Sequence, residues 1–157
     1  MNSSSTQIQA AALLKQAGPM RPVALLYADL DRFKAVNDRW GHARGDQVLQ
    51  AFADALRQRL RGPEAAARLG GDEFAVLLQR SPAQARAFVQ DLDRAFSQAM
   101  RQQGLPVSAS VGCSGSADAA VPLAELLRRS DRRMYQAKQR RKLPGRRAGD
   151  RGRLVGA

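Results

Sequence analysis

Residues 68–78 read RLGGDEFAVLL, in which two glycines and two acids separate short apolar segments. We predict two strands, residues 65–69 and 73–79, joined by a hairpin turn at the intervening GGD. The glycines leave room for a ligand to approach the backbone of the turn. An ordinary hairpin does not need two adjacent acids, because Asp72 and Glu73 repel each other. The turn is therefore a candidate for cation binding.

An apolar run upstream of this hairpin also ends in acid. Residues 22–30, PVALLYADL, predict a buried central strand because they are almost continuously apolar. If the strand continues through Asp29 and Asp31, both carboxylates point to one side of the sheet. Taken alone, these two acids also fit a solvated turn with a helix N-cap. Together with Asp72, however, Asp29 could bind Mg²⁺, which prefers oxygen ligands and supports phosphoryl chemistry at strand ends.

The remaining segments predict helices that alternate with strands. Apolar residues recur at helical spacing in several of them, and Ser81 followed by Pro82 is typical of a helix start. The predicted helices cover residues 6–17, 32–38, 44–61, 82–103 and 122–141, and a last strand covers residues 107–113. This alternation indicates an α/β fold in which helices cover a sheet.

The composition excludes several classes of protein. The 157 residues, 44% of them hydrophobic, suit one domain with a hydrophobic core. The net charge of +12 fits polyanionic partners or simply a solvated basic face. Nucleic-acid binding is not expected, because only 5% of the residues are aromatic and no reader motif is present. No transmembrane run or secretion signal is present and Cys113 is the single cysteine, so we expect a cytoplasmic protein.

Three stretches follow one another along the chain: ADLDRFKAVNDRWGHARGDQVL (28–49), RLGGDEFAVLL (68–78) and SDRRMYQAKQRRK (130–142). In sequence, order and spacing they together resemble the GGDEF domain family, the diguanylate cyclases. The resemblance implies the palm-like fold of nucleotidyl cyclases, an α+β arrangement with a central, mostly antiparallel sheet flanked by helices. It implies an N-terminal tail and short helix over residues 1–20, the GGDEF domain over residues 21–143, and a basic flexible tail over residues 144–157.

The resemblance also implies roles for individual residues. Asp29 and Asp72 would bind Mg²⁺, or Mn²⁺ in its place, through their carboxylates, and Leu30 through its backbone carbonyl. Glu73 would bind the metal or help to remove the proton from the attacking 3′-hydroxyl, and Lys138 would contact the β- or γ-phosphate. The remaining GTP contacts would be Asn37 and Asp46 to guanine, and the backbone N–H groups of Phe33 and Lys34 and the side chain of Lys142 to phosphates. Asp46 also fits a structural role, because acid is favoured in the first turn of a helix.

Departures from the family pattern bear on activity. Residues 1–9 do not resemble the family's opening segment DxLTGLxNRR, which indicates a shortened domain with a looser pocket. At the position of the family's product-inhibition motif RxxD, Arg61 keeps the arginine and Glu64 replaces the aspartate. Arg68 would add to product binding, although Arg61 equally suits a helix C-terminus. Lys142 replaces a family arginine, in a loop that lacks the family's glycine.

Two functions remain after these observations. The first is a diguanylate cyclase that acts as a homodimer, condensing two GTP into cyclic di-GMP and pyrophosphate. The second is a catalytically weak or inactive module that binds GTP, cyclic di-GMP or an unknown protein partner. We also expect Met134 and Tyr135, in the third stretch, to be core residues rather than ligand contacts.

Overall fold

The computed structural model describes residue 12, residues 15–116 and residues 120–142. In this part of the chain the strands are β1 (Val23–Asp31), β2 (Ala65–Gly70), β3 (Glu73–Leu78) and β4 (Ser108–Ser116), and the helices after β1 are α1 (Phe33–Trp40), α2 (His42–Arg57), α3 (Pro82–Gln102) and α4 (Leu123–Lys142). The strands form one antiparallel sheet in the order β2-β3-β1-β4. The predicted antiparallel sheet flanked by helices, with the GGDEF turn between β2 and β3, is confirmed.

The two faces of the sheet carry different cores because successive side chains of a strand point to opposite sides. The even-numbered residues of β1 between 24 and 30 lie in the larger core, which helices α1, α2 and α3 complete. Phe52, Phe74 and Phe96 meet edge to face in this core, with ring centroids 4.9 and 5.0 Å apart. The odd-numbered residues of β1 face α4 instead, so its two acids lie on that side.

Helix α4 contacts the sheet closely through small residues. A methyl group at Gly112 of β4 would overlap backbone atoms of α4 at Ser130 and Met134. The Ser130 hydroxyl donates to the Leu25 carbonyl at 2.7 Å and lies 2.6 Å from the Ser114 hydroxyl. These contacts fix the position of α4 along the sheet, and with it the cations about two turns further along the helix.

Some predicted boundaries are wrong by more than the usual fraying. Helix α2 ends at Arg57 rather than at residue 61, because the Arg59 N–H donates to the Leu56 carbonyl at 2.9 Å and the chain tightens into a turn. Strand β4 continues to Ser116 rather than ending at residue 113, because it pairs with β1 as far as Val23.

Other expectations have mixed outcomes. Met134 is buried, as predicted, but the side of α4 that carries Tyr135 faces solvent, so this residue is 58% exposed and its assignment to the core was wrong. The predicted helix over residues 6–17 lies mostly outside the described residues, and the tail over residues 144–157 lies wholly outside them. Within the described residues, none of the helices combines the length and apolar composition needed to cross a bilayer.

Candidate active site

The signature turn is held against the end of β1. Gly71 has a φ of 42°, a left-handed value that favours glycine. The Leu30 N–H donates to the Asp72 carbonyl at 3.1 Å, which continues the β1–β3 pairing into the turn. Because the N–H and C=O of a strand residue point to the same side of the strand, the Leu30 carbonyl also faces the turn. The fold therefore brings Leu30 and Asp72 together.

Two carboxylates lie side by side next to this turn. Asp29 and Glu73 are direct cross-strand partners on the face of the sheet covered by α4. Asp29 Oδ2 accepts a hydrogen bond from Lys138 Nζ at 2.9 Å, whereas its buried Oδ1 has no partner in the described part of the chain. Glu73 Oε2 accepts a hydrogen bond from the Tyr27 hydroxyl at 3.0 Å. Among the described residues, a hydrogen bond thus holds one oxygen of each carboxylate, and the other oxygen is open to a ligand.

The electrostatics of this cluster favour an additional cation. Burial, followed by the negative charge of Asp29, raises the pKa of Asp72 above its ordinary value. Burial lowers the pKa of Lys138, but its hydrogen bond to Asp29 and the charges of Asp29, Asp31 and Asp72 outweigh burial and leave that pKa raised. One ammonium therefore faces several carboxylates, and their repulsion is only partly neutralised.

The oxygens at this turn fit a Mg²⁺ or Mn²⁺ ion that arrives with a nucleotide. Among the described residues, no three acidic, imidazole or thiol side chains converge closely enough to cage a metal by themselves. Mg²⁺ commonly takes only one or two protein carboxylates and completes its shell with water and substrate phosphates. Oxygen donors of this kind are available here: the unpartnered Oδ1 of Asp29, the carboxylate of Asp72, whose charge the surroundings disfavour, and the carbonyl of Leu30.

Asp31 shares a face with Asp29, as the alternation predicts, but it has different partners. Its carboxylate accepts hydrogen bonds from the hydroxyls of Ser108 and Ser110 at 2.9 Å. It also forms an ion pair with Arg141 at 3.8 Å. These contacts tie the end of β1 to β4 and α4, on the side of β1 away from the turn.

The N-terminus of α1 presents backbone donors beside the acidic cluster. Phe33 and Lys34 begin this helix, and the first N–H groups of a helix have no partner within it. The preceding residue, Arg32, has a left-handed φ of 64° and supplies no side-chain cap. Because such a terminus binds anions, it suits phosphate oxygens. The Lys34 side chain itself is exposed and pairs weakly with Asp38 at 3.8 Å.

The two predicted guanine contacts lie where α1 and α2 meet. Asn37 Oδ1 is buried without a hydrogen-bond partner in the described residues. A methyl group at Gly45 of α2 would overlap this oxygen, so the two helices approach closely here. Asp46 follows Gly45 and is exposed. Because α2 begins at His42 rather than at residue 44, Asp46 lies beyond its first turn, and the alternative role at the helix start is wrong. The Asn37 amide, whose oxygen lacks a partner in the described residues, and the exposed Asp46 carboxylate can hydrogen-bond to the donors and acceptors of a guanine edge.

Lys142 lies in the last turn of α4, not in a loop as the sequence suggested, and it is exposed. It lines a cavity of about 490 Å³ together with Lys138 and Asp31. The other cations that line this cavity are Arg32, Arg101 and Arg141. The cavity adjoins the acidic cluster through Asp31 and Lys138, so its positive charge suits the phosphate end of a nucleotide.

The three residues that the resemblance links to product inhibition have unlike surroundings. Glu64 is buried and accepts two hydrogen bonds from the Arg80 guanidinium, both at 2.8 Å. It also accepts the Arg61 N–H at 2.9 Å and the Gln79 N–H at 3.2 Å. The Arg61 side chain is exposed, and Arg68 Nε donates to the Gly71 carbonyl at 2.8 Å. Only the two arginines therefore present their side chains to solvent.

Reasoning from the sequence missed several residues of the site. Tyr27 precedes Asp29 by two positions and so lies on the same face of β1, a signal that the strand period carries. Arg141 is one of several arginines in α4, and only the packing of that helix singles it out. Arg80 had no signal at all, because its role depends on Glu64, which is far from it along the chain.

The fold and motifs match known proteins over most of the chain. A family model described as "Diguanylate cyclase, GGDEF domain" matches residues 2–143. The chain is similar to the GGDEF domain of YfiN (TpbB) from Pseudomonas aeruginosa, with a TM-score of 0.75 and 33% identity over 89% of this chain and 91% of that one. It is also similar to the active GGEEF domain of a diguanylate cyclase from Vibrio cholerae, with a TM-score of 0.75 and 27% identity over 86% of this chain and 87% of that one.

Longer curated proteins match the same region. The diguanylate cyclase DgcS of Shewanella oneidensis is 34% identical over 116 residues, which are 74% of this chain and 39% of DgcS. MucR of Pseudomonas aeruginosa, a bifunctional diguanylate cyclase/cyclic di-GMP phosphodiesterase, is 39% identical over 121 residues, 75% of this chain and 18% of MucR. The chain thus spans well under half the length of these relatives.

Proposed function

Since the chain belongs to the GGDEF family of diguanylate cyclase domains, we propose that it joins two GTP molecules into cyclic di-GMP. In each of two equivalent steps a ribose 3′-hydroxyl oxygen bonds to the α-phosphorus of the other GTP, and the bond from that phosphorus to the pyrophosphate breaks. The attacking hydroxyl passes its proton to solvent water, directly or with the help of Glu73, and two pyrophosphates leave. Because GTP is made and used inside cells, we also propose a cytoplasmic location for this activity.

The observation that carries this proposal is the pair of carboxylates beside the signature turn, Asp29 and Glu73, each of which has only one oxygen hydrogen-bonded within the described residues. Asp29, Asp72, Glu73 and the carbonyl of Leu30 are proposed to hold Mg²⁺, or Mn²⁺ in its place. The metal would stabilise negative charge on the phosphates and acidify the attacking hydroxyl. Lys138, already drawn to Asp29 at 2.9 Å, would keep an ammonium next to those phosphates.

The nucleotide would lie between the turn and α1. The uncapped N–H groups of Phe33 and Lys34 would donate to phosphate oxygens, and Lys142 would contact the triphosphate from the end of α4. Asn37, one turn further along α1, and Asp46 on α2 would read the guanine edge. The separation between the start of α1 and the place where α1 meets α2 supports a ligand with phosphates at one end and a base at the other.

The reaction requires two copies of the domain. A site of this kind can position only one of the two GTP molecules. We propose that two copies meet face to face, as a homodimer or with the help of a partner protein. The rate per chain should therefore rise with protein concentration until the dimer is saturated.

The decisive experiment incubates the purified chain with GTP and Mg²⁺, and then with Mn²⁺, and detects cyclic di-GMP by mass spectrometry. Glu73→Gln should abolish product while retaining the fold. Glu125→Gln is the matched control, because Glu125 pairs with Arg128 and Arg129 at the far end of α4. An absence of product from the unaltered chain at high concentration with both metals would refute the proposal.

Lys142 favours a second candidate function, in which the chain binds GTP with weak or no turnover. Lysine gives a flexible point charge, whereas arginine provides a planar fork that binds phosphate through two hydrogen bonds. Restoring the fork with Lys142→Arg should raise turnover of a weak cyclase. If the variant binds GTP but still makes no product, the chain is a binding module.

We also propose that cyclic di-GMP binds near Arg61 and Arg68. The role of Glu64 there would be indirect, because Arg80 already occupies its carboxylate. Calorimetric titration with cyclic di-GMP should show weaker binding for Arg61→Ala and Arg68→Ala. Unchanged affinity in both variants would remove these residues from the proposed inhibitory site.

A further inference from the structure

Tyr27 connects the hydrophobic part of the β1 face under α4 with its acidic end. The other side chains of β1 on this face are apolar at Val23 and Leu25 and acidic at Asp29 and Asp31. We propose that Tyr27 is a positioning residue that orients the Glu73 carboxylate for cation binding, an inference that rests on the function proposed above.

The packing directs the Tyr27 side chain toward Glu73. Tyr27 is paired with Ala75 on β3 and with Gly112 on β4, so both neighbours on its face are small. The backbone of α4 occupies the space above Gly112, where even a methyl group would overlap it. The ring therefore extends over Ala75, and its hydroxyl reaches Glu73, which lies two residues from Ala75 on the same face.

Glu73 needs such a restraint because its neighbours repel it. Asp29 is directly opposite on β1 and Asp72 precedes it in the turn, so a free carboxylate would rotate away from both. The hydrogen bond from Tyr27 holds Oε2 at 3.0 Å. No hydrogen bond to Oε1 is found in the described part of the chain, so this oxygen is left for the cation.

Tyr27 is suited to this task by its chemistry. Its ring moves about only two torsions, so the hydroxyl is placed by packing rather than by a flexible stem. A side chain that hydrogen-bonds a metal ligand without touching the metal typically affects both the metal affinity and the reaction rate.

The test compares Tyr27→Phe with Tyr135→Phe. The chain has two tyrosines, and Tyr135 is exposed on α4, so it provides a matched control. Electron paramagnetic resonance would measure Mn²⁺ affinity in the presence of a GTP analogue that cannot release pyrophosphate. We expect Tyr27→Phe to weaken Mn²⁺ binding about tenfold and lower kcat by a similar factor, with the KM for GTP unchanged. Tyr135→Phe should behave as the unaltered chain.

A double variant separates positioning from a general effect on folding. In a Glu73→Gln background, Tyr27→Phe should cause no further loss of Mn²⁺ affinity, because the group that it orients is already altered. Additive losses, a change in KM alone, or Mn²⁺ affinity equal to that of the unaltered chain would overturn the inference. If the unaltered chain makes no cyclic di-GMP, the proposed function fails, while the Mn²⁺ titration still decides the role of Tyr27.

Discussion

Removing Glu64 from its ion pair with Arg80 should destabilise the domain more than removing one partner of any exposed pair among the described residues. Its side chains are only 4% and 16% exposed, respectively. Glu64→Ala removes a carboxylate that accepts four hydrogen bonds, two from Arg80 and one each from the N–H groups of Arg61 and Gln79. The variant leaves a guanidinium without its counter-charge in a largely buried position.

The size of the loss follows from what Arg80 keeps. Breaking a buried pair from one side costs about 3–5 kcal/mol. Arg80 still donates to the Arg59 carbonyl at 2.8 Å and lies over the Phe88 ring at 4.9 Å, which supports the lower end of that range. A loss of about 3 kcal/mol would lower Tm by roughly 6–12 °C in a domain of this size.

Urea denaturation followed by circular dichroism measures this free energy of unfolding. Asp54→Ala is the surface control, because the side chains of Asp54 and its partner Arg57 are 50% and 56% exposed. This variant should lose less than about 1 kcal/mol of unfolding free energy. The double variant Glu64→Leu/Arg80→Met should recover most of the loss, since no unpaired charge remains. Equal losses for Glu64→Ala and Asp54→Ala would refute the reasoning.

Three further predictions concern the site. The pKa of Asp72 is raised above 3.8 in the folded protein, so the native state binds this proton more tightly than the unfolded chain does. The free energy of unfolding therefore falls as the pH rises from about 3.8 through the raised pKa. Asp72→Asn should therefore be more stable than the unaltered chain near pH 7 and lose activity, and a difference in urea stability that does not grow with pH would contradict this. Gly112→Ala should cost about 1–3 kcal/mol and weaken GTP binding, because the new methyl displaces the backbone of α4 and the cations it carries. Gly115→Ala is its matched control, with a 3.3 Å contact only, and equal losses would show that α4 accommodates the methyl. Gly45→Ala should leave Tm within a few degrees of the unaltered chain, because alanine has the better helix propensity. The new methyl should displace the Asn37 amide and so weaken the binding of a fluorescent GTP analogue. Unchanged binding would exclude that amide from guanine recognition.

The sequence predicted the sheet and the signature hairpin well because both depend on neighbours in the chain. The apolar run before Asp29 and the glycines of the turn set strand and turn locally, whatever surrounds them. The end of α2 was harder to place. Residues 58–61 remain helix-compatible, and the turn that begins at Leu56 is decided by how the following segment leads into β2.

The candidate site was predictable only in part. Asp29, Asp72 and Glu73 could be grouped from motif spacing and strand ends. The contacts of Glu64 could not, because the sequence position that resembles a ligand-binding aspartate gives no sign of the guanidinium 16 residues away that occupies it.

Residues 68–78 and the two stretches that accompany them were by themselves sufficient to identify the family and its fold, since strand period, turn chemistry and motif order are properties of short segments. Only the tertiary structure decided which oxygens in the site are held and which are left for a ligand. Tyr27 reaches Glu73 across 46 residues, and Lys138 reaches Asp29 across 109. Those pairings depend on the register of β1 against β3 and on the position of α4 over Gly112. Both features arise from packing between segments that are distant in the chain.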